Sequence, residues 1–137
     1  MANILFICKY NRFRSRVACS YFNKVNRNKR NKVKSAGIIV GGEELNPLQV
    51  KAAMELGINI RGKPSPVTTE KLIWEDMIVI VADNVPPEIF KFNEARFQKK
   101  TIVWKIPDIR PGDGKKEIVK IIHLIIKKVD ELVKNLK

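Results

Sequence analysis

Ile4-Leu5-Phe6-Ile7-Cys8-Lys9-Tyr10-Asn11-Arg12-Phe13-Arg14-Ser15 is the stretch on which the fold turns. Its first four residues are apolar, branched or aromatic, and the run is short, as suits a strand buried on both faces of a parallel sheet. Beyond it, from Ser15 to Phe22, apolar residues return at helical spacing. A strand, a short loop and a helix therefore meet, with a cysteine at the strand's end. Such a loop wraps backbone N–H groups around a helix N-terminus, where the helix dipole also favours an anion. The same field, with Arg14 nearby, favours the thiolate of Cys8, the nucleophilic form. Arg14 brings a planar fork of donors that matches two oxygens of a phosphate. Four cations (Lys9, Arg12, Arg14 and Arg16) crowd a helix start where the dipole disfavours them, and a bound anion would account for them.

The 137 residues suffice for one sizeable core and not for two, so residues 1–137 are expected to form a single domain. No stretch approaches the roughly 20 apolar residues that span a membrane. The start, Met1-Ala2-Asn3, lacks the basic run of a signal peptide, and two cysteines suit a reducing compartment, so a cytoplasmic location is expected. The formal charge of +13, from 27 Lys and Arg against 14 Asp and Glu, raises nucleic acid or an acidic surface as a partner. The densest basic run, from Lys24 to Lys34, has no interleaved aromatic residues for base stacking and matches no nucleic-acid motif, while most Lys elsewhere fall on helix faces and read as a solvated surface. Neither a membrane nor a nucleic acid is expected as partner.

Downstream, Lys32 to Ile38 reads as a second strand, with Gly37 opening a loop. Asn46-Pro47 starts a helix with a capping side chain and a proline at the first helical position, Gln49 stands where a capping box wants it, and Gly57 ends it. Thr68 or Thr69 caps a short helix carrying Leu72, Ile73 and Trp74. Met77 to Ala82 is a third apolar strand ending in Asp83-Asn84, and Pro86-Pro87 opens a helix through Ile89, Phe90 and Phe92. Thr101 to Trp104 is a fourth strand. From Ile118 to Leu136 an apolar stripe marks the last helix, with Asp113 placed to cap it and His123 beside the stripe. Alternating strands and helices imply an α/β fold, a parallel sheet with helices on both faces and ligands at the carboxyl ends of its strands.

Cys8, five residues, Arg14 and Ser15, directly after the first strand, resemble the phosphate loop of the low-molecular-weight protein-tyrosine phosphatases. That family shares its fold with the thioredoxin-coupled arsenate reductases. Ser35-Ala36-Gly37, Asn46-Pro47 through Ile60, and Val79 to Asp83 resemble further family segments, the second including a helix and an exit strand at Ile58-Asn59-Ile60. The resemblance implies a three-layer sandwich around a four-stranded parallel sheet in the flavodoxin-like order 2-1-3-4. It implies a loop Lys9, Tyr10, Asn11, Arg12, Phe13 and Ser15 around a phosphate monoester, with phosphotyrosine the expected substrate class. Asn11 would hold a left-handed conformation, Ser15 would donate to the Cys8 thiolate, and Ser35 would lie beside Asn11. The pattern departs at Tyr10, where the family usually has glycine, and at Phe13, where a second cysteine is common. These two rings are the nearest that could grip a phenyl phosphate.

Expelling an alkoxide or phenolate takes a proton, and the first loop contains no acid. Asp108, in Ile106-Pro107-Asp108-Ile109, resembles the family's late aspartate and is the expected general acid, with Asp113 and Asp83 as competitors. No metal and no cofactor are expected. Two other readings stay open. Arsenate reduction needs further cysteines near the end of strand three, where this chain has Ala82 and Asp83. Its other cysteine, Cys19, lies five residues past Arg14 on the first helix and is expected to pack in the core. A phosphate- or phosphopeptide-binding module with a degenerate loop is the third reading, and Tyr10 is its best support.

Overall fold

The computed structural model describes residues 2–42, 44–92 and 99–136. Four strands, β1 (Asn3–Cys8), β2 (Lys32–Gly37), β3 (Met77–Val81) and β4 (Lys100–Trp104), form one sheet in the order β2-β1-β3-β4. All neighbouring pairs are parallel, and Cys8 stands level with Gly37. Four helices are described: α1 (Arg14–Val25), α2 (Pro47–Glu55), α3 (Thr69–Trp74) and α4 (Lys115–Asn135). The expected fold and strand order are those observed.

The strands alternate their side chains between two cores, as the period of two requires. Ile4, Phe6, Val79, Val81 and Trp104 face one side, where Val17, Ala18 and Phe22 of α1, Ala52 and Ala53 of α2, and the α4 stripe from Ile118 to Leu132 cover them. Phe6 is central there, with ring centroids 6.1 Å from Phe22 and 5.8 Å from Trp104. Leu5, Ile7, Ala36, Ile78 and Ile80 face the other side, with Val85 and Phe90. That layer is thinner: α3 buries none of its residues fully, and Leu72 only packs against the margin.

Local chemistry starts and stops most helices. Asn46 Oδ1 accepts from Leu48 N at 2.9 Å, Pro47 takes the first position, and Gly57, at φ +77°, follows the end of α2. Thr68 Oγ1, rather than Thr69, caps α3. Several expectations need correction. Gln49 is buried and lines a cleft. Gly114, not Asp113, is the N-cap of α4, with Glu117 Oε2 accepting its N–H at 3.0 Å; Asp113 instead accepts from Arg110 N at 2.8 Å. Ile58 and Ile60 are buried in the core but form no strand. The helix expected after Pro86-Pro87 begins as a 3-10 turn at Pro87–Phe90 and is helical on through residues 91–92, and residues 93–98 lie outside those described. Among the described residues no helix is long and apolar enough to cross a membrane.

Candidate active site

β1 delivers Cys8 to the carboxyl edge of the sheet, and the chain then loops through residues 9–13 into α1. Phe13 stands at the N-cap of α1 and supplies no capping hydrogen bond, and the first turn contains no acid. The free N–H groups of that turn thus depend on a partner from outside the helix. Cys8 is 2% exposed, and its Sγ lies 3.0 Å from Ser15 Oγ.

Asn11 shapes the loop. It is the only described non-glycine residue with positive φ, at 54°, a conformation that asparagine tolerates better than most residues. Both ends of its amide are used: Nδ2 donates to Ser15 Oγ at 2.7 Å, and Oδ1 accepts from Ser65 N at 2.8 Å. Ser65 in turn accepts through its carbonyl from Gly37 N at 2.8 Å, while its hydroxyl is bonded by the Lys71 ammonium. Gly37 is required by proximity, because a Cβ there would stand 2.7 Å from Asn11 N and from the Tyr10 carbonyl carbon. Ser35 hydrogen-bonds Cys19. Ser65 was missed because nothing in its local sequence marks it; it reaches Asn11 from 54 residues away.

Arg14 lies almost wholly inside the protein, 2% exposed. Its Nη1 donates to the carbonyl of Ile106 at 2.8 Å, and its Nη2 to Asn84 Oδ1 at 3.0 Å. Two carboxylates stand further off: Asp108 Oδ2 is 3.4 Å from Nη2 and Asp83 Oδ1 is 3.8 Å from Nη1. Asn84, just past the third strand, thus faces Arg14, and the 3-10 turn carries no side-chain cap. Asp113, the rival acid, is engaged with Arg110 N.

Cys8, Tyr10, Arg12, Phe13, Arg14 and Asp108 share one cleft of about 610 Å³, lined also by residues 44–47 with Gln49 and by residues 109–111. The cation cluster has more than one cause. Lys9 Nζ and Arg12 Cζ sit 5.2 and 4.5 Å from the centre of the Tyr10 ring, within range of cation–π attraction. Arg16 donates to the carbonyls of Ile60 and Lys63 at 2.7 and 3.0 Å and so ties down the loop after α2. Of the four cations, Arg14 is the one held deep against the cleft. Phe13 lines the cleft but is 4% exposed and belongs mainly to the core, so Tyr10 is the ring more open to a substrate. Among the described residues no group of three or more His, Cys, Asp or Glu side chains is arranged to hold a metal.

Cys19 stands apart from the cleft residues, partly buried against the core. Burial pushes its thiol up to about 11, against an opposing pull from Arg16 and from the Ser35 hydrogen bond. A thiol held in that state is a poor attacker at neutral pH.

Comparison with known proteins matches residues 3–137 to the low molecular weight phosphotyrosine protein phosphatase family. No curated protein sequence matches the chain. Among solved structures, the fold resembles Wzb of Vibrio vulnificus in complex with benzylphosphonate, at TM-score 0.81 and 21% identity over 98% of this chain and 99% of the other. It resembles the tyrosine phosphatase Wzb of Escherichia coli K30 in complex with sulphate, at 0.77 and 16% identity over the whole of both chains. An arsenate reductase of Archaeoglobus fulgidus gives 0.72 at 21% identity, over 96% of this chain and 99% of that one.

Proposed function

The chain belongs to the low molecular weight phosphotyrosine protein phosphatase family, and from that premise we propose that it hydrolyses phosphate monoesters through a phosphocysteine on Cys8. The substrate class is phosphotyrosine in a protein or peptide, and residues 1–137 act as one catalytic unit. The observation that carries the reading is the convergence of three groups on one cleft. Cys8 Sγ lies against Ser15 Oγ at 3.0 Å, the buried Arg14 guanidinium reaches the same cleft, and Asp108 stands 3.4 Å from that guanidinium on another loop. The benzylphosphonate and sulphate held by the two Wzb structures are tetrahedral anions, as the cleft's donors would suit.

In the first step the Cys8 thiolate attacks phosphorus, and the P–O bond to the leaving group breaks with its electron pair going to oxygen. Asp108 gives that oxygen a proton. Arg14 and the N–H groups at the start of α1 hold the remaining oxygens as charge builds on them. In the second step Asp108, now ionised, takes a proton from water. The water oxygen bonds to phosphorus, and the P–S bond breaks with its electrons returning to sulfur. A hydrogen bond from Ser15 stabilises the departing thiolate. The mechanism consumes no electrons and requires Cys8 to stay reduced, which suits work in the cytoplasm.

Cys8→Ser tests the reading with a chromogenic aryl phosphate. The serine hydroxyl is not a comparable nucleophile, so activity should drop by roughly a hundredfold or more while the fold persists. Retention of wild-type turnover would remove Cys8 from the chemistry. Arsenate with reduced thioredoxin, run in parallel, should give no turnover that depends on Cys19.

A further inference from the structure

Arg14 is anchored by two acceptors that carry no net charge, the Ile106 carbonyl at 2.8 Å and the Asn84 side-chain amide at 3.0 Å. The two carboxylates nearby, Asp108 at 3.4 Å and Asp83 at 3.8 Å, are further from the guanidinium and are both considerably exposed, at 38% and 46%. The Ile106 carbonyl also accepts from Asp83 N at 3.0 Å, which stitches the loop after β3 to the loop after β4 directly beside Arg14. The guanidinium is therefore positioned by one backbone oxygen and one side chain, and that side chain is Asn84.

Resting on the phosphatase reading above, we infer that Asn84 is the positioning residue for Arg14: its neutral amide oxygen fixes one arm of the guanidinium without cancelling the charge that binds the phosphoryl group. Two of the five N–H donors of Arg14 are taken by Ile106 and Asn84; an anion in the cleft would draw on the others in competition with Asp108 and Asp83, which stand beside the same two nitrogens. A carboxylate in the place of Asn84 could accept the same hydrogen bond. It would also put a third negative charge around one buried cation, and the anion would then meet a site closer to neutral. An apolar side chain would leave the charge but free the arm to swing. Shape and charge thus make separate demands on this position, and asparagine meets both.

Two variants separate these demands. Asn84→Ala removes the acceptor and Asn84→Asp keeps the shape while adding charge. Asn84 is exposed on its loop, so both should fold, and thermal melting checks this. The measurement is the dissociation constant of inorganic phosphate by calorimetry, together with kcat and KM for an aryl phosphate. A hydrogen bond to a charged group is strong enough that Asn84→Ala should weaken phosphate binding by roughly tenfold. Asn84→Asp, though nearly isosteric, should weaken it by a similar factor, and KM should rise with it in both variants. A merely structural role predicts that Asn84→Asp binds phosphate like the unsubstituted protein. If either folded variant binds phosphate within about twofold of the unsubstituted protein, the inference is overturned. Weakened binding in both variants of a protein that hydrolyses no aryl phosphate would sink the phosphatase reading and leave the role of Asn84 standing. Failure of the unsubstituted protein to bind phosphate would sink both.

Discussion

Asp108 Oδ2 stands 3.4 Å from Arg14 Nη2, while its Oδ1 accepts from the N–H of Ile109 at 2.9 Å. The first contact places the carboxyl beside the residue that would bind the phosphoryl group. The second ties it to its own loop and limits how it can turn. The only rival acid in the same stretch, Asp113, spends its carboxylate on Arg110 N.

The consequence for catalysis depends on the leaving group. General acid help is typically worth about 10²–10⁴-fold, and it matters most for a poor leaving group. Asp108→Asn should therefore slow an unactivated phenyl or alkyl phosphate by about that factor, and a nitrophenyl phosphate less in its first step. Asp113→Asn should cost at most about 1 kcal/mol of stability through the loss of one loop hydrogen bond, with no leaving-group dependence. Rates across a series of aryl phosphates check this. A leaving-group effect for Asp113→Asn and none for Asp108→Asn would exchange their roles.

Gly37 offers a test of the loop from behind. A Cβ there would lie 2.7 Å from Asn11 N and the Tyr10 carbonyl carbon, both backbone atoms that cannot swing aside like a side chain. Gly37→Ala should push the phosphate loop outward, costing about 1–3 kcal/mol of stability and weakening phosphate binding at the same time. Denaturant unfolding and phosphate titration of the same preparation measure both. Unchanged phosphate affinity in a folded Gly37→Ala protein would mean that the loop does not need this close approach.

Cys19 makes a prediction for alkaline pH. Burial raises its thiol from an ordinary 9.0 to about 11, so between those values the folded protein keeps a proton that the unfolded chain has lost. The stability this contributes is fully present below pH 9 and disappears as the pH rises toward 11. A shift of this size corresponds to at most about 2–3 kcal/mol. Cys19→Ala should lose less unfolding free energy than the unsubstituted protein between about pH 8 and about pH 10.5. Comparing the two proteins cancels the other titrating groups, including Lys71, whose lowered value acts in the opposite sense. Parallel pH curves for the two proteins would show that Cys19 is not the source of the alkaline loss.

The chain's local pattern determined every strand of the sheet within a residue at either end, because an apolar run and the glycines, prolines and caps beside it act on their immediate neighbours. It also determined that Cys8 ends a strand and that Asn11 is a residue able to sit at φ 54°. Tertiary structure alone decided what these residues touch. Asn11 meets Ser65 across 54 residues, Arg14 meets Asn84 across 70 and Ile106 across 92. Those partners lie on loops that the strand order β2-β1-β3-β4 gathers at one edge of the sheet. An asparagine after β3 reads equally well as a helix cap, and a serine in a loop reads as nothing in particular. A side-chain hydrogen bond is a short-range contact, and only the folded sheet brings such distant residues within its reach.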